Sequence, residues 1–238
     1  CSSFPPPRRD VYYGGGHDLD AYGWTKDFVI VSGAQYTQRW QRLWFMPAEF
    51  VGGFEHNYNY LRDVSVGYNH DVLQKVHNYS VYLQNEWRTD MWGFLIGGRL
   101  DKHTLVDHAI FSPRANVRYN PSKEVNFRLT YSSGFRAPQA FDEDFHIAVV
   151  GGERVVTVLA DGLKEERSNS VSLSGDFYHN FGTVQTNLLV EGFYTDLSDV
   201  FALRELDELD AMGNKVLERY NGSGARVMGA NIEARVVF

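Results

Sequence analysis

Residues 124–138 read EVNFRLTYSSGFRAP, and the fold turns on how that run is taken. Val125, Phe127, Leu129 and Tyr131 fall on one side of an extended chain, while Glu124, Asn126, Arg128, Thr130 and Ser132 fall on the other. Period two is the mark of a strand with one apolar and one wet face. The run halts at Pro138, whose nitrogen has no hydrogen to give a neighbouring strand. The same alternation recurs in 168–180, where Val171, Leu173 and Phe177 oppose Ser170, Ser172, Ser174 and Asp176. It recurs again in 226–238, where Met228, Ala230, Ile232, Ala234, Val236 and Phe238 oppose Gly229, Asn231, Glu233 and Arg235. Weaker versions at about 28–40, 48–58, 77–88, 91–102, 114–120 and 184–196 bring the expected count to nine strands. Few stretches look helical.

The connections alternate in length. Arg88-Thr89-Asp90, Asn120-Pro121-Ser122-Lys123 and Asn180-Phe181-Gly182-Thr183 read as tight hairpin turns, whereas 103–113, 136–167 and 197–224 read as long loops. Short turns at one end and large loops at the other are the asymmetry of outer-membrane-type barrels, whose turns are periplasmic and whose loops are extracellular. A strand of about 10 residues tilted near 45° covers the apolar band of about 25 Å. Trp87 and Trp92 flank one short turn, Tyr119 precedes another, and Tyr131 lies near the long-loop end, as interfacial aromatic belts require. A soluble β-sandwich that binds carbohydrate or protein also alternates. It would place aromatics in mid-strand and carry Lys and Glu on its outer face, whereas the polar face here is Asn, Ser, Thr, Gln, Arg and Glu. The expectation is an all-β, antiparallel up-and-down sheet forming part of a transmembrane barrel, with 1–27 an extracellular loop or linker and 28–238 the barrel segment.

Bulk properties bound the function. The 23 basic and 30 acidic residues give a net charge of −7, against a nucleic-acid partner. No run reaches the roughly 18 apolar residues of a membrane helix, but barrel strands hide their hydrophobicity by alternation. The one cysteine, Cys1, permits no intrachain disulfide and gives a Cys/His zinc cluster nothing to build on. Nine strands do not make a natural closed barrel, so the chain reads as a segment of a larger one, and Phe238 as continuing the row of Ala234 and Val236.

Several motifs then fall in a telling order. They are Gly97-Gly98-Arg99-Leu100-Asp101-Lys102-His103, Ser112-Pro113-Arg114, Tyr119-Asn120-Pro121 and Tyr131-Ser132-Ser133-Gly134-Phe135-Arg136-Ala137-Pro138. After them come Leu163-Lys164-Glu165-Glu166-Arg167-Ser168-Asn169-Ser170, Glu191-Gly192-Phe193-Tyr194-Thr195-Asp196-Leu197, Tyr220-Asn221-Gly222-Ser223-Gly224 and Gly229-Ala230-Asn231-Ile232-Glu233. In this order and spacing they resemble the barrel of TonB-dependent outer-membrane receptors. The resemblance implies a 22-stranded barrel plugged by a separate N-terminal domain. It implies a location in the outer membrane of a Gram-negative bacterium, contact with outer-membrane lipid, and import of a scarce small-molecule nutrient such as an iron-siderophore, haem or cobalamin. Energy would arrive through TonB and a plug domain, which this chain lacks.

Haem-importing members of that family carry a histidine just beyond the Phe-Arg-Ala-Pro box, and His146 follows Pro138 by eight residues. Imidazole is a suitable axial ligand for haem iron, which makes haem a possible transported ligand, not a resident cofactor. The family's second haem box, Asn-Pro-Asn-Leu, appears here only as Ala160-Asp161-Gly162-Leu163, and a loop histidine is also an ordinary solvated residue. His17, His103 and His108 share that ambiguity. Arg136, Asp142, Asp144 and His146 form the candidate ligand-binding set, on one external loop. In the box itself, Phe135 is expected in the aromatic belt and Arg136 facing inward or toward loop carboxylates, with a structural role foremost. Asp142-Glu143-Asp144 and Leu206-Asp207-Glu208-Leu209-Asp210 lack the spacing of a calcium loop, and Gly14-Gly15-Gly16 lacks the phosphate-binding lysine and helix. No metal ligand is nominated. There is no Gly-x-Ser-x-Gly and no Ser/His/Asp set, so no catalytic residue is nominated and the chain is not read as an enzyme.

Overall fold

The computed structural model describes residues 23–65, 70–138, 155–209, 213 and 215–238. Twelve strands run in chain order: β1 (Gly23–Leu43), β2 (Met46–Ser65), β3 (His70–Arg88), β4 (Trp92–His103), β5 (Ile110–Ser122), β6 (Val125–Arg136), β7 (Val155–Leu159), β8 (Glu166–Phe181), β9 (Val184–Ser198), β10 (Phe201–Leu209), β11 (Lys215–Asn221) and β12 (Ala225–Val237). Nine of them form one antiparallel sheet in the order β1-β2-β3-β4-β5-β6-β8-β9-β12. The nine expected strands are all present in it, and no helix occurs among the described residues.

Register carries the apolar side chains into one surface. The outward rows are Ala48 to Phe54 on β2, Val81 to Trp87 on β3, Phe94 to Leu100 on β4, Phe111 to Tyr119 on β5, and Phe127 to Tyr131 on β6. They continue as Val171 to Phe177 on β8, Leu188 to Tyr194 on β9, and Met228 to Val236 on β12. Asn85 is the polar exception. This face is uncovered: Leu83 is 55% exposed, Ile96 62%, Leu173 59% and Ile232 74%. A sandwich would bury those side chains against a second sheet; here they await an apolar solvent.

The turn end carries the aromatic belt. Trp92 stacks on Tyr119 at 4.3 Å, and Trp44 and Phe45 stack on Trp87 at 5.5 and 6.0 Å. Gly182, at φ 65, takes the left-handed position of the β8–β9 turn that its sequence indicates. Strand stagger adds the tilt that a barrel needs. The cross-strand row Ala48, Trp87, Phe94, Val117, Leu129, Leu173, Gly192 lies two residues above the turn on β2 and eight above it on β9. That climb of six residues across six strand spacings corresponds to a tilt of about 35°, at the lower end of the range of closed barrels.

Two features depart from the sequence expectation. β1, β2 and β3 are 21, 20 and 19 residues long, against 12 or 13 in β4, β5 and β6, and the excess stands at the long-loop end. Phe28-Val29-Ile30-Val31 is apolar on both faces, so its pairing with Asn57–Tyr60 leaves no period-two signal. The second departure lies in the regions read as plain long loops, 136–167 and 197–224. They hold a separate three-stranded sheet, β10-β11-β7, in which β11 pairs with β10 antiparallel and with β7 parallel.

Candidate functional site

The inward face of the large sheet is mostly polar, with Val51, Leu95 and Phe193 among its apolar members, and shelters a cavity of about 830 Å³. Its charged lining is Glu55, Glu86, Arg99, Arg114, Arg118 and Arg128. Period two puts these side chains opposite the apolar rows, so the part of the wall formed by β5 and β6 is cationic where it faces water in a barrel. Arg118 and Arg128 are direct cross-strand partners, and Arg114 sits four residues along β5 from Arg118. Like charges directly opposed destabilise a ladder unless something else meets them. Among the described residues, no ion pair involves Arg114, Arg118 or Arg128.

Above that cluster lies a compact polar network. Asp101, 1% exposed, accepts hydrogen bonds from Ser80 Oγ at 2.6 Å, Asn78 Nδ2 at 3.0 Å and Arg99 Nε at 3.0 Å. Arg99 Nη2 also donates to Glu55 at 2.8 Å and to Ser80 at 2.7 Å, so one guanidinium joins β2, β3 and β4. The buried carboxylate is thereby fully engaged, as a charge removed from water requires. Three residues beyond Leu100, the last outward apolar position of β4, His103 is 4% exposed and accepts the Leu105 amide at Nδ1. Burial lowers its pKa against the opposing charge of Asp101, in keeping with a neutral ring that accepts.

The loop end is stapled together. Glu165, 4% exposed, takes hydrogen bonds from Arg167 at 2.7–2.8 Å and pairs with His108 Nε2 at 3.0 Å. Burial alone would raise the Glu165 pKa; the hydrogen bonds from Arg167 and His108 outweigh it and hold the carboxyl below its ordinary value. Asn221 Nδ2 donates to the carbonyls of Lys164 at 3.1 Å and Asp199 at 2.7 Å, while its Oδ1 accepts the Lys164 amide at 2.7 Å. That side chain, at the end of β11, ties the β7–β8 connection to the β9–β10 connection.

Of the sequence-derived site residues, Arg136 is described. It ends β6, pairs with Glu166 at 3.7 Å and lies over the Phe201 ring at 5.5 Å. Asp142, Asp144 and His146 lie outside the described residues, as does His17. His103 and His108 are committed to the contacts above, some distance along the chain from that set. Phe135 does not stand in the interfacial belt as expected: it packs on the buried cluster of Val106, Ile110 and Ala137. The β5–β6 ladder ends at Arg114–Ser132 while β6 stays paired with β8 to Arg136, so the top of β6 meets the β4–β5 loop on the side where β5 has left it. The lumenal arginines were legible as a site only through their shared parity on three wet faces, a signal easily taken for ordinary strand polarity.

A tilted antiparallel sheet with a lipid face, a polar inner face, a belt at the turn end and stapled loops at the other is a wall of an outer-membrane-type β-barrel. The family model described as "TonB dependent receptor-like, beta-barrel" matches residues 3–237, and the chain belongs to that family of transport receptors, whose barrels are outer-membrane proteins. No curated protein matches the sequence. Among solved structures, the siderophore receptor PirA from Pseudomonas aeruginosa is similar at TM-score 0.74 and 16% identity, over 89% of this chain and 40% of that one. The Serratia marcescens hemophore receptor HasR, in complex with its hemophore HasA and heme, gives 0.72 and 13% over 91% and 40%. The Pseudomonas aeruginosa ferric enterobactin receptor PfeA, with enterobactin, gives 0.69 and 16% over 87% and 33%. At such identities the likeness concerns the fold. The chain spans between 33% and 40% of the length of these receptors.

Proposed function

We propose that the chain is part of the wall of a receptor in the outer membrane of a Gram-negative bacterium that binds a scarce nutrient outside and imports it. The observation that carries this reading is the cluster of Arg114, Arg118 and Arg128 on the inner wall beside a cavity of about 830 Å³. Such a wall suits anionic cargo, as ferric siderophores and haem propionates are, and the similar solved structures include siderophore and haem receptors. Energy would come from TonB through a plug domain outside this chain. Arg136, Asp142, Asp144 and His146 are the proposed external contacts, since binding residues concentrate on loops held by a rigid scaffold.

The test uses the full-length receptor in its host under iron limitation. Deleting the gene should abolish uptake of one iron source, and the triple variant Arg114→Gln/Arg118→Gln/Arg128→Gln should slow it while leaving surface expression intact. Unchanged uptake of every iron source in the deletion strain refutes import. Haem in particular is tested by absorbance titration with haemin: His146→Ala should lose the bound-haem spectrum, and an unchanged spectrum removes His146 as its ligand.

A further inference from the structure

Among the described residues, the outward rows of the large sheet from β2 to β12 carry one side chain that is neither apolar nor aromatic, Asn85 on β3. Its register partners are Phe50 on β2 and Ile96 on β4. It lies two residues along β3 from Trp87, in the turn-end belt, and four from Val81, where the apolar row of that strand ends. Two strand residues rise about 5 Å along the membrane normal, so the amide stands inside the hydrocarbon. With a single methylene it is too short to snorkel out, as lysine does.

The amide also lacks a partner. No hydrogen bond involves the Asn85 side chain among the described residues, and its Nδ2 is enclosed without an acceptor. Other amides of this wall are engaged. Inward-facing Asn78 donates to Asp101 at 3.0 Å and Asn116 to Thr130 at 2.7 Å. Gln38, outward on β1 opposite Phe50, accepts from Tyr36 at 2.7 Å and donates to the Arg39 carbonyl at 3.0 Å. Lipid tails offer Asn85 neither a donor nor an acceptor, and an amide left unpaired in hydrocarbon is destabilising.

We infer that Asn85 marks the contact between two copies of the receptor lying side by side in the membrane, β3 facing β3, with the two amides hydrogen-bonded to each other. Two arguments select a second copy. An amide is donor and acceptor at once, so it complements itself; a half-turn about χ2, a broad two-fold torsion, lets one copy present N–H where the other presents its carbonyl. Depth is the second. A two-fold axis along the membrane normal brings a residue beside it to its own copy at the same height, whereas any other partner must supply a polar group at that height independently. Leu83 and Ile96, 55% and 62% exposed, then surround the pair with apolar contact, where no water competes for the bond.

The inference rests on the barrel reading and is independent of which nutrient is carried. Its test is disulfide trapping of the full-length receptor in its native outer membrane. Asn85→Cys, treated with a thiol oxidant, should give a covalent dimer on a non-reducing gel, since residues beside the axis come within the Cα separation of about 4.4–6.8 Å that a disulfide spans. Leu173→Cys, outward on β8 and four strand spacings or about 19 Å from β3, should stay monomeric, as should wild type, which reports any native cysteine. In lipid vesicles, where labelled copies are counted by single-molecule photobleaching, Asn85→Leu should weaken association about three- to twentyfold, the worth of one hydrogen bond between membrane segments. Absence of the Asn85→Cys dimer, an adduct of another size, equal trapping at Leu173→Cys, or an Asn85→Leu variant that associates like wild type overturns the inference. Nutrient uptake by Asn85→Leu stays at the wild-type rate, so failure of import and failure of pairing are separable.

Discussion

Replacing Leu173 by arginine separates a membrane wall from a water-facing sheet. Leu173 is 59% exposed, near the middle of the outward row that runs from Val171 to Phe177 on β8. If water met this face, the change would alter stability by no more than about 0.5 kcal/mol, as surface substitutions do. If lipid meets it, a guanidinium near the bilayer midplane costs about 2–4 kcal/mol, which is about 30- to 900-fold in the folding equilibrium. Ser172 is the internal control, since it is one residue away on the same strand and faces the polar interior opposite Thr130 and Phe193. Arginine there has room to reach lumenal water and should cost below about 1 kcal/mol. The assay is reversible guanidinium unfolding of the full-length receptor in phosphatidylcholine vesicles, followed by tryptophan emission. Equal midpoints for Leu173→Arg and wild type, or equal losses for Leu173→Arg and Ser172→Arg, would refute the assignment of faces.

Asp101→Ala removes the acceptor shared by Ser80, Asn78 and Arg99, and should cost about 2–3 kcal/mol in the same unfolding assay. A change below about 0.5 kcal/mol would mean that the network is not tight in the folded protein. The Glu165 carboxyl, held below its ordinary value, stabilises the loop staple above the ordinary glutamate range and loses that contribution as pH falls through its folded pKa. Hydrogen exchange around 160–167 should therefore quicken as pH is lowered toward 4, after correction for intrinsic rates, and Glu165→Gln should remove that step; a step that persists in the variant belongs to another group. His103, with its pKa lowered, contributes fully above about 6.5 and progressively less as pH falls toward its folded value, so loop 104–109 should loosen first on acidification. Protection there that rises between pH 7 and 5 would contradict a buried neutral ring.

What the sequence revealed and what it hid divide along one physical line. Val125 to Tyr131, Val171 to Phe177 and Met228 to Val236 were legible because each side chain answers to a single solvent, lipid or lumen, and period two records that choice. The Asn-Pro and Phe-Gly turns were legible because their backbones need particular residues. Trp44-Phe45 was not: it closes the β1–β2 hairpin with Trp44 at φ 62 and neither glycine nor asparagine in the turn to announce it. The β10-β11-β7 sheet was hidden because both its faces lie outside the membrane, so its residues carry no two-solvent alternation. Its parallel partner, β7, is also separated from β11 by more than 50 residues of chain.

The same line explains why the row of stacked rings above the band, His56 and Tyr58 on β2 with Tyr79 and His77 on β3, leaves no break in the sequence pattern. His56, Tyr58 and Tyr60 continue the outward parity of Phe50 and Phe54 without a break in the ladder, so the strand does not change where its solvent does. A strand that leaves hydrocarbon while staying paired must satisfy no new backbone group; only its side chains need change. The switch from Phe54 to His56 therefore marks the upper edge of the hydrocarbon on β2, and Val81 to Tyr79 marks it on β3. An arginine at residue 54 should accordingly cost less than one at Leu173, because Phe54 lies at the edge, where the penalty falls to about 0–1 kcal/mol. If Phe54→Arg proves as costly as Leu173→Arg in the vesicle unfolding assay, the hydrocarbon reaches past His56, and the stacked imidazoles and phenols stand in lipid, not at its boundary.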